Sequence, residues 1–367
     1  MTKPLRILVA GWLNSPHLSS WGDAVAAAGH EVHFVGRVPP GPSSIEGTNV
    51  HKIRGEGVPL VRSLQMSRAL ARVVAEVQPD LVHAHWLPEL GWMAAREGLH
   101  PLVCSAWGSD VLGMHGIGRR RSKRALDGSD LVTADSVHLA HATRKLAGRD
   151  VPVEVVRWGL DLERFAPGDT YAAREALGLE EEGLLIASVR GFKPVYNPEL
   201  QLEAFARVRM RRPDARLLLK SSVDAVPSIV RAAIERLGLD EAVTTIGNLP
   251  AERMPDVYRA ADVVLSIPSS DSSPRSVWEA LACGRPVVVS DLPWARDELE
   301  DRRHAVLAQL DADAVAAAIE LAIADDKLGP EGRALAQKEL DPAIWTGRID
   351  ALYRSVVEDS LRRTTSR

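Results

Sequence analysis

Two acidic and two basic residues stand where they could bind a phosphate-bearing ligand. Asp271 and Glu279 are eight positions apart, one before a helix-like run and one within it. Arg190 follows the apolar run 184–188, which is typical of a buried strand, and Lys193 comes three residues later. Parallel sheets bind ligands at the carboxyl ends of their strands and anions at helix N-termini. The pattern therefore predicts a ligand-binding crevice at these strand ends, in which the Arg190 guanidinium can bind phosphate oxygens.

Apolar runs alternate with helix-like runs along the chain. In the first half, strands are predicted at 5–10, 31–35, 80–85, 101–105, 131–134 and 153–156, with helices over 21–28, 64–77, 88–97, 121–127 and 137–146. A second cycle has strands at 184–188, 216–220, 243–246, 263–267 and 287–290, helices between them, and final helices over 314–324 and 345–362. This alternation predicts an α/β protein with doubly wound parallel sheets.

The chain is long enough for two domains. Its 367 residues exceed a typical single core, and an aperiodic Pro- and Gly-containing stretch separates the two cycles. We expect an N-terminal domain over 1–160, a hinge at about 159–168 and a C-terminal domain over 169–342.

The composition indicates an ordinary globular protein. Hydrophobic residues make up 46% and charged residues 26%, which excludes a disordered chain, and the net charge of −4 gives no overall attraction to nucleic acid. Cys104 and Cys283 lie in apolar surroundings, as expected of buried thiols in a reducing cytoplasm. We expect no signal peptide and no membrane span, so any membrane contact would be peripheral.

The residues around the two acids resemble a known signature. Residues 271–287 read Asp-x7-Glu-Ala-Leu-Ala-Cys-Gly-Arg-Pro-Val, similar to the Glu-x7-Glu…Ala-x-Ala-x-Gly-x-Pro-Val motif of retaining family 4 glycosyltransferases, with Asp in place of the first Glu. Residues 155–165 resemble the interdomain Asn-Gly-Val-Asp…Phe motif of that family, with Trp158 for Asn. Residues 83–86 and 105–110 are similar to its two N-terminal motifs.

The resemblance implies a fold and an activity. The fold is GT-B, with two Rossmann-like domains facing across a cleft and a C-terminal helix, about 343–367, packed back on the first domain. The activity is retaining transfer of a hexose from a nucleoside-diphosphate sugar, with UDP favoured, to a saccharide, lipid-linked or small-molecule acceptor.

The family pattern also implies roles on the donor side. Arg190 would bind the diphosphate, and Lys193 would share this task although relatives place the lysine about five residues after the arginine. A transferase must stabilise the negative charge of the departing diphosphate, so Arg190 and Lys193 are assigned as catalytic residues. The helix N-terminus at Ser276 and Val277 would face the same charge.

Other donor contacts follow from the same resemblance. Glu279 would accept hydrogen bonds from the ribose, and Asn248 and Leu249 would lie beside the nucleobase. Asp271 would contact the hexose hydroxyls and is assigned, like Arg190 and Lys193, as a catalytic residue. No metal and no other cofactor is expected. The leaving phosphate can accept the acceptor's proton in retaining transfer, so no separate protein base is required.

Residues after strands of the first half are candidates for the acceptor side: His17, His85, Trp86, Trp107 and Asp110. Many relatives have a histidine where this chain has Trp107. His83 and His85 alternate on a strand and share a face. Three interpretations of this pair stay open: contact with an acceptor, ordinary packing, and a metal pair, which lacks further ligands at suitable spacing.

One dense basic run contains Arg119, Arg120, Arg121, Lys123 and Arg124. It is either a solvated helix face or a surface that docks to anionic lipid or an acidic acceptor. The run is short and lacks interleaved aromatic residues, which argues against nucleic acid.

Two alternative functions remain open from the sequence. A non-catalytic nucleotide-sugar-binding protein would fit the Asp271 substitution and the Lys193 spacing. A GT-B nucleotide-sugar epimerase would keep the fold and change the reaction. A phosphorylase would require a pyridoxal phosphate lysine, which no sequence feature indicates. ATPase and dehydrogenase functions lack their glycine-rich motifs.

Overall fold

The chain forms two compact units. The structure is a computed structural model that describes residues 3–37, 45–180, 182–221 and 225–365, so the last two residues of the predicted helix 343–367 lie outside it. The first unit comprises Met1–Gly159 and Pro342–Arg367, and the second comprises Leu160–Asp341.

The first unit contains a seven-stranded parallel sheet. Its strands are β1 (Arg6–Trp12), β2 (Glu31–Arg37), β3 (Val50–Lys52), β4 (Leu81–His85), β5 (Leu102–Ser105), β6 (Leu131–Ala134) and β7 (Val153–Val155). Their order is β3-β2-β1-β4-β5-β6-β7. The helices that follow the strands are α1 (Pro16–Ala27), α2 (Pro59–Val77), α3 (Trp92–Arg96), α4 (Gly116–Gly128) and α5 (Val137–Leu146).

Local sequence explains most of these elements. The central strands are mostly apolar and buried because helices cover both faces of the sheet, and β4 differs in containing His83 and His85. Helix α1 begins at Pro16, earlier than the predicted start, because the Ser15 side chain caps it by accepting the Leu18 N–H. The predicted helix over 88–97 is instead a π-helical turn, Leu87–Gly91, followed by the short α3.

The second unit contains a six-stranded parallel sheet in the order β10-β9-β8-β11-β12-β13. Its strands are β8 (Leu185–Ser188), β9 (Arg216–Lys220), β10 (Val243–Ile246), β11 (Val263–Ser266), β12 (Val287–Ser290) and β13 (Val306–Ala308). Its helices are α6 (Thr170–Ala176), α7 (Pro198–Arg209), α8 (Ser228–Arg236), α9 (Met254–Ala260), α10 (Arg275–Ala282), α11 (Pro293–Glu298), α12 (Ala312–Ala324) and α13 (Leu328–Glu339). Leu160 and Phe165, from the predicted hinge, are buried in the core of this unit. A hinge role for the stretch stays a prediction.

Each sheet reverses its strand order once. The chain moves outward from β1 and returns to add β4 on the other side, and it does the same at β8 and β11. Loops that leave two such neighbouring strands diverge and leave a crevice at their carboxyl ends, where ligands bind in doubly wound folds. Arg190 follows β8 and Asp271 follows β11, so both lie at the switch point of the second unit.

The last helix, α14 (Pro342–Thr365), packs on α1 within the first unit. Its buried residues Trp345, Ile349 and Tyr353 join the core of that unit. The Trp21 Nε1–H donates to the Tyr353 hydroxyl at 2.7 Å. This polar contact fixes the register of the helix on the unit.

Candidate functional site

Arg190 is the centre of the donor-side candidates. Its guanidinium forms an ion pair with Asp271 and donates from Nη1 to the Ser276 hydroxyl at 3.1 Å. The Tyr196 ring lies 4.7 Å from the guanidinium carbon, at cation–π distance. The structure thus brings together three residues that the sequence placed in one site, from the ends of two strands and the start of α10.

Arg190 retains one buried hydrogen-bond donor although Asp271 pairs with its charge. Burial raises the pKa of Asp271, while the neighbouring Arg190 opposes that rise. The Arg190 Nε is buried and has no hydrogen-bond partner among the residues that the structure describes. A buried N–H without an acceptor is costly, so an arriving phosphate oxygen would relieve it.

Glu279 is held from two sides on α10. Its Oε2 accepts the Tyr258 hydroxyl at 2.6 Å, and its Oε1 lies 3.1 Å from Arg275 Nε, one helical turn away. Burial raises the pKa of Tyr258 well above its ordinary value, so this hydroxyl stays a donor. The two partners fix the carboxylate orientation. Neither was predicted, although the i,i+4 spacing of Arg275 and Glu279 would have indicated that pair.

Lys220 is a second cation that the sequence analysis missed. It ends β9, the strand beside β8, and alternation puts it on the same face as Leu218, whose core cluster includes Tyr258. Burial lowers the pKa of Lys220, and the nearby Glu279 charge raises it. A lysine at the carboxyl end of a predicted strand could have indicated a second cation in the site.

The other donor-side candidates differ in exposure and in packing. Lys193 is exposed and precedes a 3-10 turn, Pro194–Tyr196. Asn248 is exposed, and Leu249 packs partly against the core of the second unit. The Val277 N–H already donates to the Pro274 carbonyl at 3.0 Å. The first turn of α10 therefore uses this amide, and the role of Ser276 and Val277 towards the diphosphate stays a prediction.

The two strand histidines of the first unit are packed together. The rings of His83 and His85 stack with their centroids 4.4 Å apart, and both are buried. His85 Nδ1 accepts the Trp107 Nε1–H at 3.3 Å. Burial lowers the pKa of His85 to about 3, so the ring is neutral at ordinary pH. His85 is the last residue of β4, in agreement with the predicted strand over 80–85. The expectation that it lies at a loop position after that strand is wrong.

Asp110 is also fully buried. Its carboxylate accepts the Trp107 N–H at 2.8 Å and the Leu87 N–H at 3.2 Å, so it joins the segments after β5 and β4. Burial raises its pKa to about 6, against these hydrogen bonds. The contacts support a positioning role for Asp110 on the predicted acceptor side.

The remaining acceptor candidates are partly exposed aromatic residues. His17 lies in the first turn of α1 instead of the predicted loop, with its ring 5.3 Å from the Trp107 ring. Trp86 adopts φ 72°, an unusual backbone conformation for a bulky residue, immediately before the π-helical turn. Its ring centroid is 5.4 Å from that of Trp12.

The basic run divides into two groups along α4. Arg121 stacks 4.3 Å above the Trp92 ring, and Lys123 pairs with Asp127 at 2.8 Å. The members of the exposed group are Arg119, Arg120 and Arg124. Docking of this run to an anionic membrane stays a prediction.

Comparisons with known proteins identify the family. Residues 169–337 match the family model described as glycosyl transferases group 1, and residues 6–136 match the one described as glycosyl transferase 4-like. The D-inositol 3-phosphate glycosyltransferase of Geodermatophilus obscurus is 30% identical over 319 residues, which cover 79% of this chain and 70% of the relative. The chain belongs to the group 1 glycosyltransferases.

A second relative and a solved structure are also similar to this group 1 glycosyltransferase. A protein of the same name from Kribbella flavida is 30% identical over 61% of the chain, and the match spans only 58% of that relative's length. Anabaena HepE, solved in complex with UDP and glucose, matches with a TM-score of 0.81 and 19% identity, covering 96% of this chain and 100% of HepE. The family and the two Rossmann-like units confirm the predicted GT-B fold.

The described parts of this group 1 glycosyltransferase contain no group of three or more His, Cys, Asp or Glu side chains that could hold a metal ion. Within the same residues, no helix is long and apolar enough to span a bilayer. A metal-independent reaction stays a prediction.

Proposed function

We propose that the protein is a retaining glycosyltransferase that moves a hexose from a nucleoside-diphosphate sugar to a saccharide, lipid-linked or small-molecule acceptor. The observation that carries this proposal is the meeting of Arg190, Ser276 and Asp271 at the switch point of the second unit. Family membership supports the reaction class.

Stabilisation of the departing diphosphate would come from preorganised donors. Arg190 offers its guanidinium with a spare buried Nε, and Ser276 offers a hydroxyl. Lys220 supplies the second cation that the family pattern led us to expect from Lys193. These groups are fixed before the ligand arrives, so they need little reorganisation as charge develops on the leaving oxygen. No metal is required for that task.

Glu279 and Asp271 would bind the sugar parts of the donor. The Tyr258 and Arg275 contacts leave Glu279 oriented to accept from the ribose hydroxyls. Asp271 would contact hexose hydroxyls and place negative charge near the oxocarbenium-like centre. The leaving phosphate would accept the acceptor's proton, so no protein base takes part.

Similar proteins indicate the classes of donor and acceptor. Complexes of Anabaena HepE with UDP and with UDP-glucose favour a UDP-sugar as donor. Relatives named for D-inositol 3-phosphate favour a small phosphorylated molecule among the three acceptor classes.

A nucleotide screen followed by a product assay tests the proposal. A ligand that binds only the folded protein raises its melting temperature, so UDP, GDP, ADP, dTDP and their hexose conjugates are compared. Stabilisation should be lost in Glu279→Ala and kept in Glu175→Ala, an exposed glutamate on α6. Transfer with retention should give a product with the anomeric configuration of the donor, as seen by NMR. Stabilisation by none of these ligands, together with no product, would refute the proposal.

The Arg190–Asp271 ion pair also favours a second candidate, a protein that binds nucleotide sugars without transferring them. In this candidate Asp271 neutralises the cation that should stabilise the leaving group. Donor binding without any product across the three acceptor classes would favour it over transfer.

A further inference from the structure

A cavity in the first unit has a strongly cationic lining. Its volume is about 690 Å³, and it lies among the ends of β2 and β3, the first turns of α2, the π-helical turn and α4. Five cations line it: Arg37, Lys52, Arg54, Arg62 and Arg121. The lining also includes two carboxylates, Glu56 and Glu89, so positive charge is in excess.

One carboxylate is already neutralised. Glu89 Oε1 lies 2.8 Å from Arg37 Nε, and Glu89 Oε2 accepts the Trp12 Nε1–H at 2.7 Å. Four cations then face the single carboxylate of Glu56. A concave surface with charge of one sign concentrates the field and attracts a counter-ion.

The four cations other than Arg37 form no ion pair with the carboxylates that the structure describes. Arg121 is held by Trp92 and by a long contact from Nη2 to the Ser63 hydroxyl at 3.5 Å. The cavity therefore has an excess of positive charge that favours an anionic ligand.

The backbones that carry Arg54 and Arg62 pack closely together. The Glu56 N–H donates to Gln65 Oε1 at 2.8 Å, which ties the loop after β3 to α2. A Cβ on Gly55 would lie 2.5 Å from the Arg62 carbonyl oxygen, so only glycine allows this close approach. These contacts hold the two arginines on neighbouring segments, and both side chains are exposed to an incoming ligand.

Trp86 connects the cavity to the predicted acceptor side. It lines the cavity while its ring also contacts Trp107, at 6.5 Å between centroids. Its left-handed backbone conformation, followed by a π-helical turn, is of a kind that clusters at functional sites.

We propose that this cavity binds a phosphate group, and that the acceptor carries it. The assignment of the phosphate to the acceptor rests on the transfer reaction proposed above, whereas phosphate binding itself does not. Arg54 and Arg62 would grip the phosphate oxygens with their planar guanidinium groups, and Lys52 and Arg121 would add charge.

Two sources of the phosphate fit the surface. A soluble sugar phosphate would need only the cavity. The phosphate of a membrane lipid would also use the apolar side chains at the start of α2, where Val58, Leu60 and Val61 are 64%, 60% and 44% exposed. The arms of the experiment separate these sources.

Calorimetric titration of the full chain without any donor tests the proposal. Inorganic phosphate and glucose 6-phosphate are titrated against glucose, and flotation with phosphatidylglycerol vesicles provides the lipid arm. We expect a phosphate-bearing probe to bind at least about tenfold more tightly than glucose. The Arg54→Gln/Arg62→Gln double variant should lose about tenfold in affinity, whereas Arg68→Gln, an exposed arginine further along α2, should bind as the wild type does.

Circular dichroism confirms that the variants fold. Vesicle binding that depends on Arg54 and Arg62, without binding of the soluble probes, would assign the phosphate to a lipid. Failure of every phosphate probe, or equal binding by the double variant, would overturn the proposal. Glu279→Ala should leave phosphate binding intact, so failure of the transfer proposal and failure of this site give different results.

Discussion

Asp271 and Arg190 form a mostly buried ion pair that joins the segments after β8 and β11, with 16% and 14% of their side chains exposed. The pair has two consequences. It orients the guanidinium for a diphosphate, and it places a carboxylate beside the position expected for the hexose. A substitution that keeps the shape and removes the charge separates these two effects.

Asp271→Asn is therefore expected to affect the reaction more than donor binding. The amide oxygen can still accept from Arg190, but the negative charge near the developing oxocarbenium ion is lost. We expect kcat to fall about 100-fold, while the dissociation constant for UDP changes less than about threefold. Steady-state kinetics and calorimetry measure the two quantities.

A surface pair provides the control for this variant. Asp313 pairs with Arg207 at 2.6 Å but is 80% exposed, so Asp313→Asn should change neither quantity. If Asp271→Asn lowers UDP affinity and kcat in parallel, Asp271 acts only by holding Arg190.

Tyr258→Phe tests the orientation of Glu279. The substitution removes the hydroxyl that donates to Glu279 and keeps the ring in the core. Without it the carboxylate keeps only Arg275 and becomes less ordered. UDP affinity should fall about tenfold, equivalent to roughly 1.4 kcal/mol, as measured by calorimetry. Tyr171→Phe, at a site 62% exposed, should leave it unchanged. Unchanged UDP affinity in Tyr258→Phe would show that the Tyr258–Glu279 hydrogen bond does not contribute to donor binding.

Lys220 and Lys193 compete for the role of second cation. Lys220 is half-buried and interacts with Glu279, whereas Lys193 is exposed. Charge is worth more where water is excluded, so Lys220→Met should lower kcat/KM more than about tenfold and Lys193→Met less than about threefold. The reverse order of effects would restore the family-based assignment of Lys193.

Sequence patterns predicted the elements whose signal is local. The strands Leu131–Ala134, Arg216–Lys220 and Val287–Ser290 were predicted at their observed bounds because they are short apolar runs between polar segments. The strands Val50–Lys52 and Val306–Ala308 were missed. They are three residues long and lie at or near sheet edges, so pairing rather than residue type makes them strands.

Prediction of the candidate site from the sequence has the same limit. Asp271, Ser276 and Arg190 were grouped by strand ends and by a motif, and they do meet. The contact of Tyr258 with Glu279 joins residues 21 apart on different helices, which no spacing rule predicts. The His85 ring packs against Trp21, which packs in turn against Trp345 of α14, and both are far from His85 in the sequence.

The buried histidines of the first unit predict how stability depends on pH. Burial lowers the pKa of His85 to about 3 and holds that of His83 well below its usual range. In the unfolded chain a histidine takes up its proton near about pH 6.5. Between these values the unfolded state binds more protons, so the full contribution to stability is present above about pH 6.5 and is lost as the pH falls towards about 3.

Urea unfolding of the wild type and of His85→Asn at about pH 7 and about pH 5 measures this effect. Each buried histidine should lower the free energy of unfolding by up to about 1.4 kcal/mol per pH unit in that window. The asparagine carbonyl can accept the Trp107 Nε1–H and does not titrate, so the acid loss should be smaller in the variant. His141→Asn, at an exposed site on α5, should lose stability as the wild type does.

Asp110, in the same unit, affects the pH dependence of the free energy of unfolding with the opposite sign. Its pKa is raised to about 6, so its contribution is present at low pH and is lost as the pH rises through that value. The residue is shared by the wild type and the His85→Asn variant, so its effect cancels in their difference. A difference in unfolding free energy that is the same at both pH values would show that His85 accepts a proton in the folded state. That result would contradict the assignment of His85 as a buried, neutral ring that packs against Trp107.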